Sequence, residues 1–447
     1  YRLDYYFCLI LIFEIFKKFK KEFQLSKFGF YFFQSGIVLL SSAFSISIIF
    51  FIISIFWGFY IYLRDRKFEL LDLPIIICFF LMPLICFAQN LSPYLKSFEI
   101  NPNLTWIGLL NWLPFFICFL SFKHYLRTSK QREITAKFLI IGTFPVLVSG
   151  FSQYLFEWYG PIEAFNGLII WFQKPLENEG LTGLFSNQNY AGAWFNVVFP
   201  FCIASFINYK GNKLKKNISL IFSIAISISI MLTFSRNAWG GLIFSLPFLL
   251  GPTSLIWIMP CLLFTFLIIY LASSDLGNIS LQSIARLIVP KDIWSEFNYD
   301  FSGRETRLSI WSAALIQLKS YPLIGFGAGS FSLIYMKLNG AYAGHAHNLP
   351  LEFATSFGLP ISLFLFSFIA IIIFVSFKKL LENNAFKKNA TKTSLFERAW
   401  WTSFLIIFIS NLFDVVIYDG RLGLIFWILF TGLTQSIKSE EDCEINF

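Results

Sequence analysis

Residues 255–272 read LIWIMPCLLFTFLIIYLA, a run without a single charge. A helix needs about 17–25 apolar residues to cross a bilayer, and inside the bilayer its backbone amides must be satisfied within the segment. This run is therefore a membrane span. A second apolar run precedes it, and a long polar stretch from about Ser273 to Asn348 follows it. Its direction of crossing decides on which side of the membrane that polar stretch lies.

The composition carries the reading to the whole chain of 447 residues. It is 56% hydrophobic and only 14% charged, whereas soluble domains carry about 25% charged residues. The expected fold is an all-α polytopic membrane protein. A formal net charge of +9 raises the question of nucleic acid. The basic residues, however, sit in short runs beside apolar segments, as cytoplasmic loops do, so membrane lipids and not nucleic acid are the expected surroundings. Seven cysteines lie mostly within apolar runs and lack ligand spacing; they read as small buried hydrophobes.

Charge sets the topology. Phe28–Leu40 and Ser45–Leu63 form a tight pair flanked by basic residues at both ends (Lys17, Lys18, Lys20, Lys21; Arg64, Arg66, Lys67), which demands an even number of crossings. Further spans follow at Leu73–Ala88, Leu104–Phe122, Phe138–Phe156, Tyr190–Ile207, Ile218–Phe234, Ala238–Leu250, Leu255–Ala272, Pro350–Phe377, Trp400–Val416 and Leu422–Ile437. Twelve crossings put every large basic cluster inside and the 273–349 loop outside. Residues 1–27 form an N-terminal cytoplasmic or interfacial segment, 28–437 the transmembrane domain and 438–447 a cytoplasmic tail. Residues 3–16 read equally as an interfacial helix or a span. The chain opens at Tyr1 without Met, which leaves room for an upstream piece.

The long loop has an internal plan. From Arg304 to Leu318, apolar residues at Leu308, Trp311, Ala314, Leu315 and Leu318 mark one helix face. Ser302 and Glu305 supply a capping box, and the pattern suits a helix lying on the membrane surface. Tyr321-Pro322 ends that helix, and Gly325-Phe326-Gly327-Ala328-Gly329 reads as a turn or as a backbone cradle for phosphate.

Three ionisable residues stand out. Arg236 lies in Thr233-Phe234-Ser235-Arg236-Asn237-Ala238, a polar break between two spans. An arginine near membrane depth costs up to about 3 kcal/mol and either faces a cavity or snorkels to the interface. Arg307 begins the surface helix, where it meets solvent, an acidic headgroup or a substrate. His347 precedes Asn348 at the mouth of a span and can exchange a proton near neutral pH. His345 invites a metal, yet no Asp, Glu or Cys stands nearby at ligand spacing, so no metal and no cofactor are expected. Nucleotide-binding and hydrolase signatures are absent from the sequence. A basic external site without them suits a pre-activated donor such as a lipid diphosphate. Arginines would hold its phosphates, and a neutral histidine would take the proton of an attacking hydroxyl.

Several segments together resemble the O-antigen ligase and polymerase family of bacterial cell envelopes. They are Thr233–Ala238; Arg307-Leu308-Ser309-Ile310-Trp311 with Tyr321–Gly327; His347-Asn348 followed after nine residues by Gly358; and Gly183-Leu184-Phe185-Ser186-Asn187-Gln188-Asn189-Tyr190. The resemblance covers about 183–375. It implies a glycosyltransferase-C-like fold and a metal-independent, inverting transfer of glycan. The donor would be undecaprenyl-diphosphate-linked glycan, and the acceptor lipid A-core or another glycan, at the periplasmic face of the bacterial inner membrane. Arg236 and Arg307 would serve the diphosphate and His347 the acceptor, with Arg304, Asn348, Asn187 and Asn189 binding substrate. The ligase pattern closes on Gly, Thr or Tyr, where this chain has Ile361 after Gly358-Leu359-Pro360. Ligase and repeat-unit polymerase therefore both stay open, and a twelve-span small-solute carrier is the alternative from another class.

Overall fold

The computed structural model describes residues 22–65, 69–91, 101, 103–176, 180–209, 211–273, 279–289, 307–383, 385–386 and 392–438. Ser302, Arg304, Glu305 and residues 3–16, with the expectations placed on them, lie outside the described residues. The first half contains α1 (Glu22–Leu39), α2 (Phe44–Asp65), α3 (Leu73–Leu91), α4 (Asn103–Gly108), α5 (Leu113–Phe122) and α6 (Ser129–Phe156). A short hairpin, β1 (Ile162–Ala164) and β2 (Ile169–Trp171), leads to α7 (Gln188–Asn208), α8 (Lys213–Leu232), α9 (Arg236–Leu250) and α10 (Leu255–Ser273). The polar stretch holds α11 (Ile279–Ile288), α12 (Arg307–Ser320) and α13 (Ser330–Asn339). The chain then runs through α14 (Leu349–Phe357), α15 (Leu359–Glu382), α16 (Lys392–Phe413) and α17 (Gly420–Ser436).

This is an all-α, multi-pass membrane protein. Every segment read as a span is helical, and among the described residues eight helices are long and apolar enough to cross a membrane. α9 and α17, with 15 and 17 residues, are shorter than that criterion. Burial grades from the centre outward. α7 and α17 are buried along nearly their whole length, whereas α10 buries only Ala272 and turns Trp257, Phe264 and Phe266 outward. Lipid tails are as apolar as leucine, so polar contacts and close packing, not water exclusion, order such a bundle. Ser403 Oγ accordingly donates to the Val197 carbonyl at 2.8 Å, and Trp400 Nε1 donates to the Leu429 carbonyl at 2.8 Å. Trp427 meets Phe116 edge-on at 5.1 Å.

Two spans expected to be continuous are broken. Residues 104–122 fold as α4, a 3-10 turn at Leu109–Asn111 and α5, with Trp112 outside helical geometry at φ −133°. Residues 350–377 divide at Gly358 into α14 and α15. Gly358 has φ +98°, and a Cβ there would stand 2.1 Å from the Leu323 carbonyl oxygen, so only glycine fits. The cause is a strand-like pairing across the break. Phe326 and Gly327 donate their amides to the carbonyls of Thr355 (2.7 Å) and Ser356 (3.0 Å), and Leu359 donates to Pro322 at 2.7 Å. Gln89 of α3 adds side-chain bonds to the carbonyls of Ile324 and Ser356. These amides of the glycine-rich turn are therefore committed to protein carbonyls, and the turn is a staple in place of the phosphate cradle considered above.

The loop is a small folded lobe of its own. Ile310, Ala314, Phe331, Tyr335, Ala343 and Ala346 form a separate core. α12 packs on α14 and buries Ile310, Ala314, Gln317 and Leu318. Ala314 and Leu318 of the expected face are buried there, while Leu308 and Leu315 are 70% and 51% exposed.

On the face opposite the loop, the buried Asp72 accepts from Tyr62 Oη at 2.9 Å and pairs with Lys123. Lys123 also reaches Glu69 at 3.0 Å, and Glu69 pairs in turn with Lys438. Two cations thus neutralise two carboxylates and join the ends of α2, α5 and α17. Removing one partner of a buried pair strands the other charge, at roughly 3–5 kcal/mol. Asp72→Ala should accordingly lower the thermal midpoint of the purified protein far more than Glu69→Ala, because Glu69 is a third exposed. Equal midpoints for the two variants would contradict this account.

Candidate functional site

Four helix ends meet on the loop face. Asn187 caps α7, its Oδ1 accepting the Tyr190 amide at 2.9 Å. Two residues on, Asn189 Nδ2 donates to Asp414 Oδ2 at 3.1 Å, while its Oδ1 accepts from Ser235 Oγ at 2.8 Å. Ser235 is the N-cap of α9 and accepts the Ala238 amide. That cap makes Arg236 the first residue of α9, exposed on the loop face. Helix N-termini carry partial positive charge, and a cation there is disfavoured unless an anion joins it.

Asn348 caps α14. Its Oδ1 accepts the Leu351 amide at 3.0 Å and its Nδ2 donates to the Leu412 carbonyl at 2.9 Å. The second bond ties the α14 entrance to the end of α16, where Asp414 sits 5% exposed. Asp414 Oδ1 meets His347 Nδ1 at 3.1 Å and accepts the Val415 amide at 2.9 Å. The His347 ring, the Asn189 side-chain amide and the Val415 backbone amide all meet this buried carboxyl and favour its ionised form. An ionised carboxylate can only accept, so His347 carries its proton on Nδ1 when neutral. Its Nε2 lone pair is left available.

Arg307 begins α12 and is exposed. It stands close enough to act on His345, whose pKa is pushed down to about 4. Burial is the main cause, helped by the charges of His347 and Arg307 against the pull of Asp414. Among the described residues neither Arg236 nor Arg307 has an acidic partner. Arg421 does have one. It is buried, forms two bonds with Asp419, donates to the Leu184 carbonyl at 2.9 Å and lies 4.0 Å from the Phe185 ring centre. It fastens the Gly183–Asn189 segment and is not open to ligand.

The donor atoms of His345, His347 and Asp414 all lie within 4.8 Å of one another, near enough for a metal ion. Their hydrogen bonding argues for a different use. His345 Nδ1 accepts the His347 amide at 3.1 Å, so its Nε2 carries the proton and faces Asp414 Oδ1 at 3.6 Å. Binding metal through Nε2 while Nδ1 accepts that amide would require the neutral ring to give up its one N–H proton. The trio as folded is a hydrogen-bonded one.

Residues 220–366 match the family model described as O-antigen ligase. That span contains Arg236, Arg307 and His347, and it supports the general family. No curated protein matches the chain. Asn187, Asn189 and Asp414 lie outside the matched span. Asp414 falls at the end of the span read at Trp400–Val416 and has no role in the sequence reading. The available signal was an acid at the end of an apolar span, where a charge requires a partner.

His345 yields a pH test. Its pKa is lower in the folded protein than the unfolded value of about 6.5, so the unfolded chain binds the extra proton first. The neutral ring's contribution is complete above about pH 6.5 and is lost as pH falls toward 4. It amounts to a loss on the order of 3 kcal/mol across that window. Thermal midpoints should fall between pH 6.5 and 4 in the native protein and fall less in His345→Asn. Identical slopes in the two proteins would refute this.

Proposed function

We propose that this protein transfers a glycan from an undecaprenyl-diphosphate donor to lipid A-core or another glycan acceptor at the outer face of the bacterial inner membrane. The observation that carries this reading is the His347–Asp414 hydrogen bond, which leaves the His347 Nε2 lone pair available on the face that also bears Arg236 and Arg307. The family match over 220–366 supports the same class of reaction. In this reading twelve crossings put both described ends of the bundle in the cytoplasm, with the transmembrane domain at 28–437 and the lobe on the periplasmic side.

The chemistry is a single displacement. An acceptor hydroxyl approaches Nε2, which takes its proton as the new C–O bond forms at the anomeric carbon. The old anomeric C–O bond breaks on the opposite face and inverts the centre, and undecaprenyl diphosphate leaves with the electron pair. Arg236, joined by the positive end of α9, and Arg307 hold the charge that develops on the diphosphate, so metal is not required. Asp414 fixes the His347 tautomer and stabilises the imidazolium, as the buried acid does in hydrolase triads. Asn189 acts through Asp414, and Asn187 and Asn348 act through the helix starts they cap. Arg304 is assigned a supporting role toward the donor on sequence grounds.

His347→Ala and Asp414→Asn should each lower glycan transfer by purified protein by about 10²–10⁴-fold. Arg236→Ala and Arg307→Ala should each cost about 10²-fold or more, with membrane insertion intact. Wild-type transfer in all four would end this proposal. Deletion of the gene separates the two family activities on a lipopolysaccharide gel: bare core marks a ligase, and core bearing a single repeat unit marks a polymerase.

A further inference from the structure

His347 has a positive φ of 48°, in the left-handed region that side chains with a Cβ seldom occupy. Such a conformation persists only where its surroundings over-determine it. Two side chains do so here. Glu352, one turn into α14 and 2% exposed, accepts the Ala346 amide on Oε2 at 2.8 Å and the Tyr418 hydroxyl on Oε1 at 3.1 Å. His345 Nδ1 accepts the next amide, that of His347, at 3.1 Å. Successive amides of the turn are thus held by different acceptors, and the buried Ala346 methyl anchors the turn in the core of the lobe.

We propose that Glu352 and His345 are positioning residues that lock the Ala346-His347 backbone and thereby aim His347 Nδ1 at Asp414, leaving Nε2 toward the acceptor. The inference rests on the transfer reading for its kinetic consequence, but its structural consequence, a fixed His347 tautomer, does not. The histidine at 345 serves here as an acceptor for the amide two residues on, the pattern that asparagine makes in an Asx-turn. Its imidazole is therefore replaceable by a shorter carbonyl. Glu352 in turn is replaceable by glutamine, whose Oε1 can accept from Ala346 while its Nε2 donates to the Tyr418 hydroxyl. A carboxylate that moved a proton itself would not be replaceable in this way.

The test pairs conservative with disruptive variants. Glu352→Gln and His345→Asn should keep kcat within about threefold of wild type, whereas Glu352→Leu and His345→Ala should lower kcat about tenfold or more with KM little changed. In parallel, 15N NMR of histidine-labelled protein in nanodiscs reads the His347 tautomer without any substrate. The Nδ1–H form should dominate in wild type, Glu352→Gln and His345→Asn, and give way to a mixture in Glu352→Leu and His345→Ala. Should Glu352→Leu fail to fold, the His345 pair alone decides. A kcat for Glu352→Gln as low as that of Glu352→Leu overturns the inference, as does an unchanged tautomer in His345→Ala. Absence of transfer by wild-type protein, with the tautomer shifts as stated, would remove the transfer reading and leave the positioning intact.

Discussion

The buried carboxylate of Asp414 is the constraint on which the loop face depends. One oxygen receives His347 and the Val415 amide, and the other receives Asn189, which is bonded to the cap of α9. A charge at the end of an apolar helix requires such partners, because leaving it bare near lipid costs several kcal/mol. That requirement draws the starts of α7, α9 and α14 to the end of α16. It also explains why residues remote in sequence converge, since each supplies one donor to an acceptor that cannot remain empty.

Among the described residues eight of the twelve expected spans are long and apolar enough to cross a membrane, and the helices were legible because long apolar runs admit few other readings. The breaks at 109–112 and 358 were not, since hydropathy runs on through them. Only Gly358 and Pro360 hinted at the second, and their meaning depends on a segment thirty residues upstream that pairs there. Arg236 and His347 showed themselves as polar residues in apolar company. Asp414, Asp419 and Arg421 look alike in the sequence, and only folding separates them: Arg421 closes on Asp419 two residues away and leaves Asp414 to the histidines. In the sequence His345 has no acid at ligand spacing, because Asp414, which the fold brings to within 3.6 Å, lies 69 positions away.

The two ends of the bundle are held by different electrostatic designs. On the side away from the loop, Lys123, Lys438, Glu69 and Asp72 neutralise one another and form a closed clasp. On the loop side, Arg421 is closed in the same way by Asp419, but Arg236 and Arg307 lack acidic partners among the described residues. Both are exposed, and in the proposed reading they are the groups that meet the anionic diphosphate.

The staple between residues 322–327 and 355–359 fixes both ends of the segment that carries His347. From 328 to 354 the backbone is a closed ring whose ends are fixed by amide bonds, so an inserted residue would have to be absorbed between fixed points or shift the histidine turn. The ring that carries His347 therefore keeps its length.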